Sequence, residues 1–173
     1  GNVDPDCARS RQTMVFERPV LLRRSVKANI GYALALHGVP RRERPGRTAE
    51  ALEKTGLSSL ASRRARVLSA GEQQRLALAR AWATEPEVLF LDEPTAALDP
   101  AATRSVEALI ESIALSGTKI VMTTHDLGQA RRLADEILFF HRGALLEQTP
   151  AAEFFERPET EEAASFLRGE LVW

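Results

Sequence analysis

The chain has 173 residues, of which 44% are hydrophobic and 27% charged, with a net charge of -1. That is enough for one domain with a sizeable core and too little for two large ones, and the near-neutral balance argues against bulk nucleic acid as a partner. The single Cys7 excludes an internal disulfide, and neither a bilayer-spanning apolar stretch nor a secretory signal is present, so a soluble, cytoplasmic chain is expected.

Residues 1–11 are polar, lack periodicity and read as a disordered lead; Gly1 is compatible with a tag scar. Met14-Val15-Phe16 reads as a strand end, and Pro19 turns the path that follows. A helical pattern runs from about Val26 to His37, ended by Gly38-Val39-Pro40. The charged stretch Arg41 to Arg47 leads to a short helix around Thr48 to Thr55. From Ser69 a helix runs to about Thr84, and the strand Val88–Leu91 follows. Pro100 opens another helix, with Val106, Leu109, Ile110 and Ile113 on one face. Next come the strand Ile120–Met122, a helix from about Leu127, the strand Ile137–Phe140, a turn at Arg142-Gly143 and the strand Ala144–Leu146. Thr149-Pro150 and Thr160 look like caps for two short terminal helices. Apolar strands alternating with helices predict an α/β fold with a mainly parallel sheet.

The chemistry concentrates at three places. Strand Val88–Leu91 delivers Asp92 and Glu93 at its carboxyl end, the edge where open α/β sheets place ligands. Two carboxylates there suit a Mg²⁺ held by Asp92 and a water activated by Glu93, although the dipeptide alone reads as a solvated acidic pair. Ser69-Ala70-Gly71-Glu72 is a capping box, and its helix N-terminus also offers N–H groups and a positive dipole end to an anion. Both roles can hold together. His125 follows Thr123-Thr124 and could hydrogen-bond a phosphate oxygen as a neutral imidazole, whereas a lone histidine at a strand end is usually structural. His37, His141 and Cys7 form no metal constellation.

The runs Leu68-Ser69-Ala70-Gly71-Glu72-Gln73-Gln74-Arg75, Leu89-Phe90-Leu91-Asp92-Glu93-Pro94 and Thr123-Thr124-His125-Asp126 together resemble the ATPase subunit of an ATP-binding-cassette (ABC) transporter. The resemblance covers Arg11 to Trp173, and the flanking text is similar to importers of oxyanions, tungstate first, with molybdate and phosphate importers as near relatives. It implies ATP and Mg²⁺ as ligands, a transmembrane permease subunit and a second ATPase subunit as partners, and a place at the inner face of the membrane. Site roles follow from it: Glu93 and His125 catalytic; Ser69, Ala70, Gly71, Glu72 and Asp99 contacting nucleotide; Asp92 and Glu17 near the metal. Two positions depart from the family pattern. Ala70 stands where a second glycine is usual, and Glu17 stands where the family has glutamine, replacing an amide donor with negative charge. Val20-Leu21-Leu22, after Glu17, either tucks into the core or lines a groove for a permease helix. A relative working in DNA repair or translation is disfavoured by the near-neutral charge and by the lack of a long insertion between Glu17 and Ser69.

No G-x-x-x-x-G-K-[ST] occurs, and none of the ten glycines precedes a lysine. The expectation is therefore a truncated P-loop NTPase core plus a small helical subdomain: a fragment without the phosphate loop, inactive alone, or else a non-catalytic module docking on a permease or a complete ATPase. In domain terms the helical subdomain takes about 26–84, the α/β core 12–25 and 85–148, and terminal helices 149–173. The missing strand would lie between the strands at 119–123 and 136–140 and leave unpaired backbone groups, so the chain is expected to close that gap, recruit a partner strand or aggregate.

Overall fold

A computed structural model describes residues 11–170. The lead 1–10, with Cys7, and Leu171-Val172-Trp173 lie outside the described residues. The chain divides between Thr123 and Thr124 into two compact units.

The first unit is built on a parallel sheet of β1 (Gln12–Val15), β2 (Val88–Asp92) and β3 (Lys119–Thr123), in the order β1-β2-β3. Central β2 sets Val15 beside Leu91 and Leu91 beside Met122. Because side chains alternate across a strand, Val15, Leu89 and Leu91 share one face. They are buried against α3 (Ala70–Trp82) and α4 (Pro100–Leu115), in a core with Leu78, Val106, Ile110 and Ile113. The opposite face carries Met14, Phe90 and Val121 side by side, with Met14 and Val121 largely exposed.

Helices α1 (Val26–Leu36) and α2 (Arg44–Lys54) pack on the other side of α3, around Ile30, Leu34, Leu57 and Leu76. Helix α3 is thus shared by two cores: Leu76 and Ala79 face one, Leu78 and Ala81 the other. From Leu76 to Trp82 the helix is apolar except at Arg80, as a segment buried on both sides requires. Three side chains tie the helical part to α4. Lys54 lies 4.5 Å over the Trp82 ring and donates to the Ser112 carbonyl at 3.3 Å, while Trp82 Nε1 donates to Ser116 Oγ at 3.4 Å.

The second unit contains α5 (Leu127–Leu133), β4 (Glu136–His141), β5 (Ala144–Pro150), α6 (Ala151–Glu156) and α7 (Glu161–Leu167). Strands β4 and β5 form an antiparallel hairpin whose turn places Arg142 at φ 48° and Gly143 at φ 80°, the double left-handed turn that matches strand twist. The sheets therefore differ from a single mainly parallel one: three parallel strands in one unit, a two-stranded hairpin in the other. Phe139 stacks 5.8 Å from Phe154 and 5.5 Å from Phe166, giving this unit its own aromatic core. Thr160 caps α7 as expected, with the Ala163 N–H donating to its hydroxyl at 3.3 Å. Thr149 does not cap α6. It lies within β5 paired with Ile137, because β5 runs on to Pro150 before the helix begins.

Candidate functional site

Asp92 closes β2, and Thr123 closes β3 beside it. The Thr123 hydroxyl donates to Asp92 Oδ1 at 2.8 Å and accepts from the Glu93 N–H at 3.2 Å, while the Thr123 carbonyl also accepts from that N–H at 3.2 Å. One threonine thus fixes both acidic residues. Glu93 turns out of the strand at φ 45°, a conformation costly for a residue with a side chain and common where a site dictates the backbone. Asp92 and Glu93 are half-buried at the strand end, and the role of Thr123 escaped the sequence reading because it rests on cross-strand register.

The N-terminus of α3 is the second element. The Glu72 N–H donates to Ser69 Oγ at 3.3 Å and the Ser69 N–H to Glu72 Oε2 at 2.8 Å, closing the expected capping box and contributing about 1 kcal/mol. Ser69 and Ala70 are exposed, and Gly71 is buried. A Cβ on Gly71 would stand 2.7 Å from the Ala102 Cβ and 3.7 Å from its Cα, so glycine here lets the starts of α3 and α4 touch. Ala70 meets no such limit, which is why the exposed first position of the pair accepts a methyl. Asp99 caps α4, accepting at 2.9 Å from each of the Ala101 and Ala102 N–H groups. These bonds, Ala102 first, hold its carboxyl below the ordinary value. Ser69, Gly71 and Asp99 are thereby gathered at one helix–helix contact.

The loop after β1 is the third element. Phe16 and Glu17 are exposed, and Glu17 pairs with Arg18 at 3.8 Å. Two side chains of α3 hold this loop from far along the sequence: Gln74 Nε2 donates to the Phe16 carbonyl at 3.5 Å and Arg80 Nη1 to the Val20 carbonyl at 2.7 Å. Fully buried Asn29 holds the rest, accepting from the Leu22 N–H at 2.9 Å and donating to the Ser25 carbonyl at 3.0 Å. These three were missed by the sequence reading, since their partners are backbone groups and no motif marks them. Beside the loop, Met14, Phe16, Val20, Tyr32, Leu36 and Arg80 line a groove of about 230 Å³. Val20 is 80% exposed and Leu36 72%, whereas Leu21 packs on the helical core. Val20 thus lines the groove, while Leu21 takes the core position. Arg80 Nε is buried there without a partner, and burial lowers the guanidinium's pKa.

His125 opens the second unit, exposed, in a turn set by its neighbours. The Asp126 N–H donates to Thr124 Oγ1 at 3.0 Å, and Asp126 caps α5 through the Gln129 N–H at 2.9 Å. Among the described residues no three metal-ligating side chains converge, and no helix is long and apolar enough to cross a membrane. The half-buried carboxylates at this strand end fit Mg²⁺, which keeps much of its water and takes one or two carboxylates plus phosphates, and do not fit an all-protein metal cage.

An acidic pair at the carboxyl end of a parallel sheet, with Glu93 at a positive φ, and a capped helix N-terminus in the same unit define an α/β core with a polar sheet edge. The comparisons narrow that class. A family model described as ABC transporter matches residues 4–96. A phosphate import ATP-binding protein, PstB, of Thermotoga maritima is 42% identical over 94% of this chain and 66% of its own length. The PstB of Campylobacter jejuni is 38% identical over 97% of this chain and 70% of its own. Among solved structures, cbiO1 of Clostridium perfringens, part of the ABC transporter complex cbiONQ, superposes with a TM-score of 0.79 at 30% identity, over 87% of this chain and 61% of that one. The chain belongs to the ABC transporter family. Three expectations are corrected by these matches. The relatives are phosphate importers rather than tungstate importers first. Family likeness runs along 94–97% of the chain, which replaces the truncated core with an ABC ATPase fold and the inactive remnant or non-catalytic module with a member of an ATP-binding family. The chain spans about two thirds of the length of these relatives, so the activity of the whole protein is taken up as a proposal.

Proposed function

We propose that this protein is the ATP-binding and ATP-hydrolysing subunit of an ABC importer for phosphate-type oxyanions, working at the inner face of the membrane. The observation that carries the reading is the pair Asp92-Glu93, held by Thr123 at the carboxyl edge of the sheet. Glu93 orients the attacking water and accepts its proton, the work of a general base. Asp92 would hold Mg²⁺, which would supply charge neutralisation for phosphate. His125 donates to the terminal phosphate. The Ser69 hydroxyl and the N–H groups of Ala70 and Gly71, with the positive end of α3, bind the terminal phosphate of nucleotide held by a second ATPase subunit. Asp99 positions that helix pair through its cap, and Glu72 through the capping box. Glu17, in the loop that leaves β1, would set by its negative charge how strongly that loop answers metal and nucleotide. The groove lined by Phe16, Val20, Tyr32 and Leu36 takes a permease helix, since exposed apolar side chains of this size favour a partner.

The test is ATP turnover by the complex reconstituted in vesicles. Phosphate on the import side should stimulate turnover more than tungstate or molybdate. Glu93→Gln should lower turnover about 10²–10⁴-fold with nucleotide binding kept, the range general-base removal gives. Turnover unaffected by that change, or stimulated by tungstate alone, would overturn the reading.

A further inference from the structure

On the helical side of the first unit, Arg23, Arg24, Arg64 and Arg66 line one cavity of about 290 Å³. Its walls are held by backbone bonds. Ser25 and Arg64 form an antiparallel bridge, the Ala65 N–H donates to the Arg24 carbonyl at 3.0 Å, and the Val26 N–H donates to the Arg63 carbonyl at 2.9 Å. Two segments about forty residues apart in sequence thus present their arginines together. Arg24 is further placed by stacking over the Tyr32 ring at 5.4 Å. All four side chains are exposed, no acidic residue lines the cavity, and none of the four has a carboxylate within ion-pair reach among the described residues. The whole chain carries a net charge of -1, so this concentration of positive charge is local.

Four guanidinium groups facing one space repel one another, and an anion bound between them relieves that repulsion. Each guanidinium presents a planar fork of donors that fits an oxyanion two bonds at a time. A carboxylate has two oxygens and one charge for four such forks. Inorganic phosphate has more of both, and an anionic bilayer sets many singly charged phosphodiester groups side by side. We propose that this cavity is a phosphoryl-binding site, separate from the nucleotide site, for inorganic phosphate or the phosphate of an anionic lipid headgroup. It stands independently of the ATPase reading, because neither Glu93 nor the α3 cap contributes to it.

The experiment titrates inorganic phosphate into the full chain by calorimetry at constant ionic strength. In parallel, the chain is sedimented with phosphatidylglycerol-containing and pure phosphatidylcholine vesicles. Three double variants are compared with the unaltered chain: Arg64→Ala/Arg66→Ala, Arg23→Ala/Arg24→Ala, and, as a charge-matched control elsewhere, Arg41→Ala/Arg42→Ala. Saturable binding of one phosphate per chain, at least tenfold weaker in both cavity variants and unchanged in the control, supports a free-phosphate site. Binding to phosphatidylglycerol vesicles alone, with the same pattern across the variants, supports the headgroup. Arg64→Lys/Arg66→Lys keeps the charge and loses the forks, so intermediate binding is expected and covers the case of an unfolded alanine variant. No binding of either probe, or equal weakening in the control, overturns the site.

Discussion

Gly71 and Ala70 are neighbours of similar size with opposite tolerances. A methyl on Gly71 meets Ala102 at 2.7 Å, inside the contact that sets α3 against α4. Gly71→Ala should cost about 1–3 kcal/mol in urea unfolding, as overpacking does, and should lower turnover of the complex with it; an unchanged midpoint would mean the helix starts separate freely. Asp99 offers a pH test. Its folded carboxyl is held low by the Ala102 and Ala101 N–H groups, so the charged cap stabilises fully above the unfolded value near about 3.9 and loses that contribution as pH falls through the lower folded value. The thermal midpoint of the unaltered chain should exceed that of Asp99→Asn at neutral pH, and the gap should close on acidification. A gap independent of pH would assign the effect to packing. At this scale the sequence was most legible where a side chain serves its own segment: Ser69, Glu72 and Asp99 cap within three residues of themselves. Thr123, Gln74 and Arg80 were not legible, because each acts across 30 to 60 positions through register or packing.

At the scale of elements, caps and apolar runs set most boundaries. Ser25, Ser69, Asp99, Asp126 and Thr160 each stand one residue before a helix and accept from its first turn. Helix α2 begins at Arg44 rather than near Thr48 because Pro45 fits a first helical turn, where its missing N–H loses no bond. Thr149 misled for a related reason: threonine before proline resembles a cap, yet its strand pairing with Ile137 extends β5 past it. The loop from β1 to α1 was opaque because Asn29, on the helix, organises it from within. Asn29→Ala should cost about 1–3 kcal/mol, the penalty of leaving buried backbone groups unpaired. Amide exchange at Leu22 should rise with it while β2 keeps its protection. Exchange at Leu22 equal to that of the unaltered chain would show that the loop is held elsewhere.

For the molecule as a whole, alternating strands and helices read as one sheet, whereas pairing is settled by which edges meet. Apolar runs do not carry that information. Strand β4 alternates exposed and half-buried positions along its length, the pattern of a hairpin with one face toward an apolar layer. That layer is Phe139, Phe154 and Phe166, and Phe154 is 2% exposed. The first unit has its own cores around Leu76 and around Leu89 with Leu91. Separate cores predict separate losses. Phe154→Ala should remove about 3–5 kcal/mol from the second unit, the usual cost of deleting a buried phenyl ring. Exchange measured by mass spectrometry should then quicken across 136–167, with β1, β2 and β3 protected as before. Because Glu93 and Thr123 belong to the first unit, the same change should leave the geometry around Glu93 intact. Equal acceleration in both units would mean that they unfold as one.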